Sequence, residues 1–394
     1  MTLGIVARDS PSVAANMGIT VCIAPVKTLE YPEGGGHLWE YLNWALGLRA
    51  VGCEVIWLEG VAPTSPAAGL RAKVAALKLR LERYGLVKCL ALYSSTDGPL
   101  SPDVADMGCL DLDAAAGADL LLEFRYDTPL HVVKRFRRSA LLDIDPGLSQ
   151  AWISKGRIRL TPHDVYFTTG ETVGQPGTRI PDVGLNWIYT PPCVALDWWP
   201  PHEATTKAPF TTVAHWYAGG WLEDDANAHL DDKRSGFLPF LDLPRHTDQS
   251  LELALDLPPQ DEQRIMLEVR GWSVVDAHTV AATPWDYQRY IQGSLGEFSC
   301  AKPACLKLEN AWFSNRTLCY LASGKPAVVQ HTGASRFLPD SAGLFRFRDL
   351  QEAAQCIERV VIDYEKQSKL ARALAQEYFD ARDVVKTLLE WALS

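Results

Sequence analysis

The stretch YPEGGGHLWEYLNWALGLRAVGCEVIWLEG, residues 31–60, decides how the fold is read. It follows ITVCIAP, a short β-branched run with the length and composition of a buried strand that ends in a proline and a loop. From Leu38 the apolar positions Leu38, Tyr41, Leu42, Ala45 and Leu48 recur at helical spacing, and Gly52 stops the helix before a second strand, EVIWLEG. Strand, helix and strand in that order make a βαβ unit, which implies a parallel sheet covered on both faces. Gly34, Gly35, Gly36 and His37 stand at the corner where the first strand hands over to the helix.

Working outward, residues 66–92 read as amphipathic helix, and DLLLEF, SALLDID and DVYFTTG read as strands. The proline-rich span YTPPCVALDWWPPHEATTKAPF reads as a linker. Beyond it the alternation resumes: FTTVAHW and IMLEVRGW as strands, DYQRYIQGS and TLCYLASG as helices, KPAVVQ as a strand, and a helix from Leu350 to about Lys366. Two amphipathic pieces close the chain. The expected fold class is α/β, two Rossmann-like doubly wound domains facing a central cleft. Its expected division is a flexible segment 1–18, a domain 19–200, a linker 201–209, a second domain 210–372 and a terminal helix 373–394.

The 394 residues, 47% hydrophobic, exceed one ordinary core and agree with two domains. With 38 basic against 48 acidic residues, the net charge of -10 argues against nucleic acid and anionic membranes as partners. Nine scattered cysteines without a CxxC pair read as reduced and mostly buried. The opening residues lack a signal pattern, and no window approaches the ~18 apolar residues of a membrane helix, so the expectation is a cytoplasmic protein with no integral membrane segment.

In an open parallel sheet, ligands sit beyond the carboxyl ends of the strands, where helix N-termini offer unpaired N–H groups. PEGGGH has that place in the first domain: its glycines allow close backbone approach to a ligand, and His37 is a candidate general base or hydrogen-bond donor. The spacing is not GxGxxG, so no dinucleotide fingerprint is present. In TTGETVGQPG, Glu171 orients a sugar hydroxyl or accepts a proton, unless the segment is only a surface turn. Asp143 and Asp145 in DIDPGLSQ have no third ligand in view and make a poor metal site, so no metal is expected. In the second domain His215, Trp216 and a glycine pair end a strand. Lys302 and Arg316 are candidate phosphate partners, one a point charge and the other a fork. Ser314, Asn315 and Thr317 open a helix and either cap it or hold an anion, and Thr332, Gly333 and Ser335 repeat that logic after the next strand.

The order GGGHLWEYLNWALGLRAVGCEVIWLEG, DIDPGLSQ, HDVYFTTGETVG, GEFSCAK and WFSNRTLCYLASGKPAVVQHTG resembles bacterial glycosyltransferases of the two-Rossmann (GT-B) fold, from about Gly18 onward. The most specific part, YLASGKPAVVQHTG, is similar to the EAMAxGxPVVxxxxGG segment that lines the nucleotide-sugar pocket of many such enzymes. The resemblance implies a nucleotide-sugar donor on the second domain, a small-molecule acceptor on the first, no separate cofactor, and a C-terminal helix that crosses back to the first domain. The expected reaction is metal-independent sugar transfer, with His37 the base if the outcome is inversion. Where the retaining families carry a ribose-binding glutamate, this chain has Cys319. A nucleotide-sugar 2-epimerase or coupling enzyme of the same fold, and a non-catalytic nucleotide-sugar-binding partner protein, are the alternatives.

Overall fold

The computed structural model describes residues 18–31, 33–62, 65–96, 98–205, 207–217, 232–340 and 342–394. Two sheets organise them. The first contains β1 (Thr20–Ala24), β2 (Glu54–Val61), β3 (Leu90–Ser94), β4 (Leu120–Glu123), β5 (Ser139–Asp143), β6 (Val165–Thr168) and β7 (Trp187–Tyr189). The second contains β8 (Phe210–Ala214), β9 (Leu251–Leu255), β10 (Ser273–Asp276), β11 (Gly296–Ser299), β12 (Ala327–Gln330) and β13 (Leu344–Phe347). All their pairings are parallel, in the orders β3-β2-β1-β4-β5-β6-β7 and β10-β9-β8-β11-β12-β13. Each order reverses once, at β1/β4 and at β8/β11, and a crevice opens at such a switch point. The expected pair of doubly wound α/β layers is therefore what the chain builds.

Five helices position the site: α1 (Gly35–Ala50), α2 (Pro284–Gly293), α3 (Asn315–Ala322), α4 (Tyr364–Tyr378) and α5 (Ala381–Leu393). From Leu38 to Leu48, α1 has no solvent face except at Glu40, because it packs on α5 and also on α2 and α3 of the second sheet's layer. Gly47 allows this approach: a Cβ there would lie 2.7 Å from that of Ala381. Arg138 Nε donates to Ala392 O at 2.7 Å, so the terminal helix does return to the first domain.

Several elements differ from expectation; the helix read from Leu350 to about Lys366, for one, breaks at Asp363 into Leu350–Ile362 and α4. Residues 66–92 are not one helix: the helix Ala67–Arg83 ends where Leu86 N–H donates to Leu81 O and Gly85 adopts φ +72°, and β3 begins at Leu90. IMLEVRGW is not a strand but lies mostly in the helix Glu262–Val269, whose N-cap Asp261 accepts from Gln263 N–H at 2.8 Å. Its Ile265 and Val269 are exposed and Leu267 is buried, so an apolar run that looked like buried strand is one surface turn of helix. Among the described residues no helix is long and apolar enough to cross a membrane.

Candidate functional site

A cavity of about 440 Å³ lies between the carboxyl ends of the two sheets. Loops after β1, β8, β9, β10 and β11 reach it, with the first turns of α1 and α3 facing each other across it. Its size falls in the range of small-ligand sites.

The first-domain wall carries Gly34, Gly35, Gly36, His37 and also Tyr31 and Glu40. The glycine corner is crowded by protein atoms. A Cβ on Gly35 would stand 2.3 Å from Thr283 O, one on Gly36 2.6 Å from the Tyr287 ring, and one on Gly34 2.3 Å from the Tyr31 ring. Gly35 N–H donates to Ala281 O at 3.1 Å. Gly35 and Gly36 thus bring the two domains together at the cavity rim, Gly34 leaves room for the Tyr31 ring, and all three line the cavity as expected of the corner. His37 Nε2 donates to Val26 O at 2.6 Å, leaving Nδ1 with the lone pair. Burial lowers the His37 pKa, so the imidazole is neutral. Glu40, one turn further along α1, is pushed up to about 8 by burial and then by nearby Asp145, against a 3.5 Å hydrogen bond from Asn315. Glu40 is therefore a protonated carboxylic acid at neutral pH. Asp143 is buried and accepts from Tyr126, Ser149, Gln150 and Thr168, a structural hub and not a metal ligand. Asp145 opens onto the adjoining space and is exposed there, yet protein surrounds its other sides. Burial and the Asp143 charge push it up to about 6, and Lys302 opposes them.

The second-domain wall carries Lys233, Lys302, Ser314, Asn315, Arg316 and His215. Lys233 stands in a charged run, DDKRSG, that reads as surface; in the fold Nζ donates to Cys300 O at 2.6 Å. Burial, Arg316 and Lys302 together push its pKa down to about 8. Mutual repulsion among these cations is the condition that a polyanionic ligand relieves. Ser314 caps α3 by accepting from Arg316 N–H at 3.3 Å, and Asn315 Oδ1 accepts from Asn43 of α1 at 3.1 Å. Arg316 lines the cavity but is committed inward: Nε pairs with buried Glu297 at 2.9 Å, Nη1 donates to Val213 O at 2.8 Å and Nη2 to Ser299 Oγ at 2.6 Å. Its reading as a phosphate fork is corrected to that of a structural ion pair; Lys233 and Lys302 are the lysines at the cavity. His215 Nε2 lies 2.7 Å from Tyr31 Oη across the rim, and His278 Nε2 lies 3.0 Å from Asp256 at the far end.

Several expected residues fall elsewhere. Trp216 is fully buried against Phe237, in the core of the second domain. The Gly219–Gly220 pair and Trp221 lie outside the described residues. Thr317 and Thr332 line a narrow crevice behind the cavity, and Thr332 Oγ1 donates to Trp312 O at 3.0 Å. Gly333, at φ +129°, packs against the Glu309 carbonyl, and Ser335 donates to Glu171 at 2.8 Å. Glu171 also accepts from Arg336 N–H and Nε, so its oxygens join the first domain to the loop after β12, away from the cavity. That corrects its reading as a catalytic group. Cys319 is buried, its Sγ 3.7 Å from Asn315 Oδ1, and is not among the residues that line the cavity.

No family model matches the chain, and no curated protein matches its sequence. Solved structures do resemble it. An alpha-glucosyltransferase in complex with UDP and a 13-mer DNA containing a HMU base superposes with a TM-score of 0.62 at 11% identity, over 96% of this chain and 100% of that one. A glycosyltransferase from Rickettsia africae ESF-5 gives 0.57 at 11%, over 96% and 98%. Anabaena Alr3699/HepE in complex with UDP-glucose gives 0.53 at 13%, over 95% and 99%. The DNA complexes overturn the exclusion of nucleic acid drawn from net charge, since a protein of this fold does hold DNA. The physical reason is that binding answers to the local field of a groove, and a total of -10 does not report it. The chain has the two-Rossmann GT-B fold of these glycosyltransferases.

Proposed function

We propose that the protein transfers a sugar from a nucleotide-sugar, with a uridine diphosphate sugar the first donor to try, to the hydroxyl of a second molecule. One observation carries the reading: Lys233, Lys302 and the N-terminus of α3 converge on one wall of a cavity whose other wall holds a neutral His37 and a protonated Glu40. The lysines and the helix dipole suit a diphosphate and stabilise the charge that develops when it leaves. UDP and UDP-glucose bound to other proteins of this fold support the donor class.

In the proposed step the acceptor oxygen bonds to the anomeric carbon, and the bond from that carbon to the β-phosphate oxygen breaks with its electron pair on the diphosphate. The acceptor proton goes to Asp145, ionised near neutral pH, while Glu40 keeps its proton and donates a hydrogen bond to sugar or leaving group. Two carboxyls held apart in pKa divide acid and base roles in this way. Two protein cations neutralise the diphosphate, so the reading expects no requirement for a divalent ion. The test is calorimetry with UDP and UDP-glucose, with and without EDTA, on wild type, Lys233→Ala and Lys302→Ala. Each charge-assisted contact is worth ~1.5–3 kcal/mol, so each variant should lose about 10- to 150-fold in affinity. Affinity unchanged in both variants sinks the assignment, and epimerised or hydrolysed donor without a glycosylated second molecule sinks the reaction.

A further inference from the structure

A second, smaller chamber of about 80 Å³ opens beside the donor cavity and shares Lys233 and Lys302 with it. One water needs roughly 10–15 Å³ of such space, so the chamber holds a group of several heavy atoms. Its walls come from both domains: Pro146 and Leu148 from the loop after β5, and Ala304, Leu308 and Trp312 from the segment after β11. Asn310 fixes the two sides together, Nδ2 donating to Pro146 O at 3.0 Å and Oδ1 accepting from Trp312 N–H at 3.2 Å. That asparagine is thereby largely occupied, and much of the remaining wall is hydrocarbon. The shared lysines mark the side that meets the donor cavity, and Asp145 lines the chamber as well.

We propose that this chamber is the acceptor subsite and receives a hydrocarbon group carried next to the hydroxyl that takes the sugar. The acceptor is then an amphiphilic alcohol and not a plain saccharide, because Pro146, Leu148, Ala304 and Leu308 offer hydrocarbon, and the chamber's polar groups Lys233, Lys302 and Asp145 are those the diphosphate and the reacting hydroxyl use. The inference rests on the donor reading of the larger cavity. Burial of each methylene raises affinity about fourfold, so affinity should climb with alkyl length and then level off when the chamber is full.

Cys305 lines the chamber and is half-buried, Cys109 is half-buried far from it, and the other seven cysteines are buried. The experiment follows alkylation of Cys305 by N-ethylmaleimide in the full chain at saturating UDP, with Cys109 as internal reference. Methyl, butyl, hexyl and octyl glucosides are the probes, with glucose and maltose as polar controls. The expected result is protection of Cys305 that strengthens about fourfold per methylene to a plateau, with no protection by the controls at the same concentrations. Calorimetry with the same series on wild type and Ala304→Leu gives the reading independently of maleimide access. Ala304→Leu fills part of the chamber and should bring the plateau to a shorter chain, with UDP affinity held within about twofold. Protection by glucose equal to that by octyl glucoside, no dependence on chain length, or an unaltered series in Ala304→Leu overturns the proposal. Chain-length dependence without UDP binding overturns the donor reading and leaves the chamber; UDP binding without chain-length dependence does the reverse.

Discussion

Gly35→Ala is the substitution that tests how the cavity is closed. Its Cβ would meet Thr283 O at 2.3 Å, Ala281 O at 2.4 Å and Thr283 C at 2.6 Å, where ordinary contact is 3.4–4 Å. All three are backbone atoms, so no side chain can swing aside. The rim must open by about 1 Å, which costs roughly 1–3 kcal/mol as overpacking. An opening of that size also stretches the Gly35 N–H to Ala281 O bond of 3.1 Å and the Trp39 Nε1–H to Pro284 O bond of 2.8 Å. At about 1 kcal/mol each, the total reaches ~3–5 kcal/mol, enough to weaken domain closure without unfolding either sheet. Urea unfolding followed by tryptophan fluorescence should show a lower midpoint, and calorimetry should show weaker UDP binding. Gly69→Ala is the control: no atom lies within 4 Å of its Cβ, and on an exposed helix the change should stabilise by roughly 0.5–1 kcal/mol. A Gly35→Ala protein with the wild-type midpoint and wild-type UDP affinity would refute the reasoning.

Three further outcomes follow from the same contacts. Arg316→Ala leaves Glu297 buried and unpaired and should cost ~3–5 kcal/mol in urea unfolding; Arg316→Lys should rescue little, since a lysine cannot reach Glu297, Val213 O and Ser299 together. Glu40, raised from 4.5 to about 8, holds a proton in the folded chain that the unfolded chain has lost, so its contribution is present below pH 4.5 and disappears as pH rises through 8. Glu40→Gln should therefore gain thermal stability relative to wild type between pH 5 and pH 8.5, and a constant difference across that range would contradict the assignment. Glu171→Gln keeps an acceptor for Ser335 and Arg336, and turnover should stay within about threefold of wild type; a hundredfold loss would return Glu171 to the chemistry.

Local pattern carried much of the architecture. ITVCIAP, EVIWLEG, DLLLEF, SALLDID, DVYFTTG, FTTVAHW and KPAVVQ each contain a strand, because a buried parallel strand is a short apolar run that needs no distant information to be seen. IMLEVRGW misled for the same reason. A short apolar run does not say which of its residues face a core, and Asp261 caps a helix there. The strands β9, β11 and β13 went unread although strands of similar length, such as β4 and β6, were recognised.

The candidate site was legible as a place and less so as chemistry. His37, His215, Lys302, Ser314 and Asn315 do meet at the cavity, since sheet topology alone sends strand ends and helix starts there. Arg316 read as a ligand because its partner Glu297 lies 19 residues away on β11, and a sequence shows a charge without its counter-charge. Glu40 and Lys233 went unread for the converse reason: one looks like the polar face of a helix and the other like a solvated run.

What the sequence determined by itself is the place of the first domain's main apolar strands and the glycine corner between β1 and α1, because hydrophobic period and backbone freedom are local properties. What only the tertiary structure decided is which atoms fill the space beside Gly35, which cation Glu297 consumes, and that Glu40 keeps its proton. Desolvation and ion pairing depend on what the rest of the chain brings within a few ångströms, and that is set by packing between segments far apart in the chain.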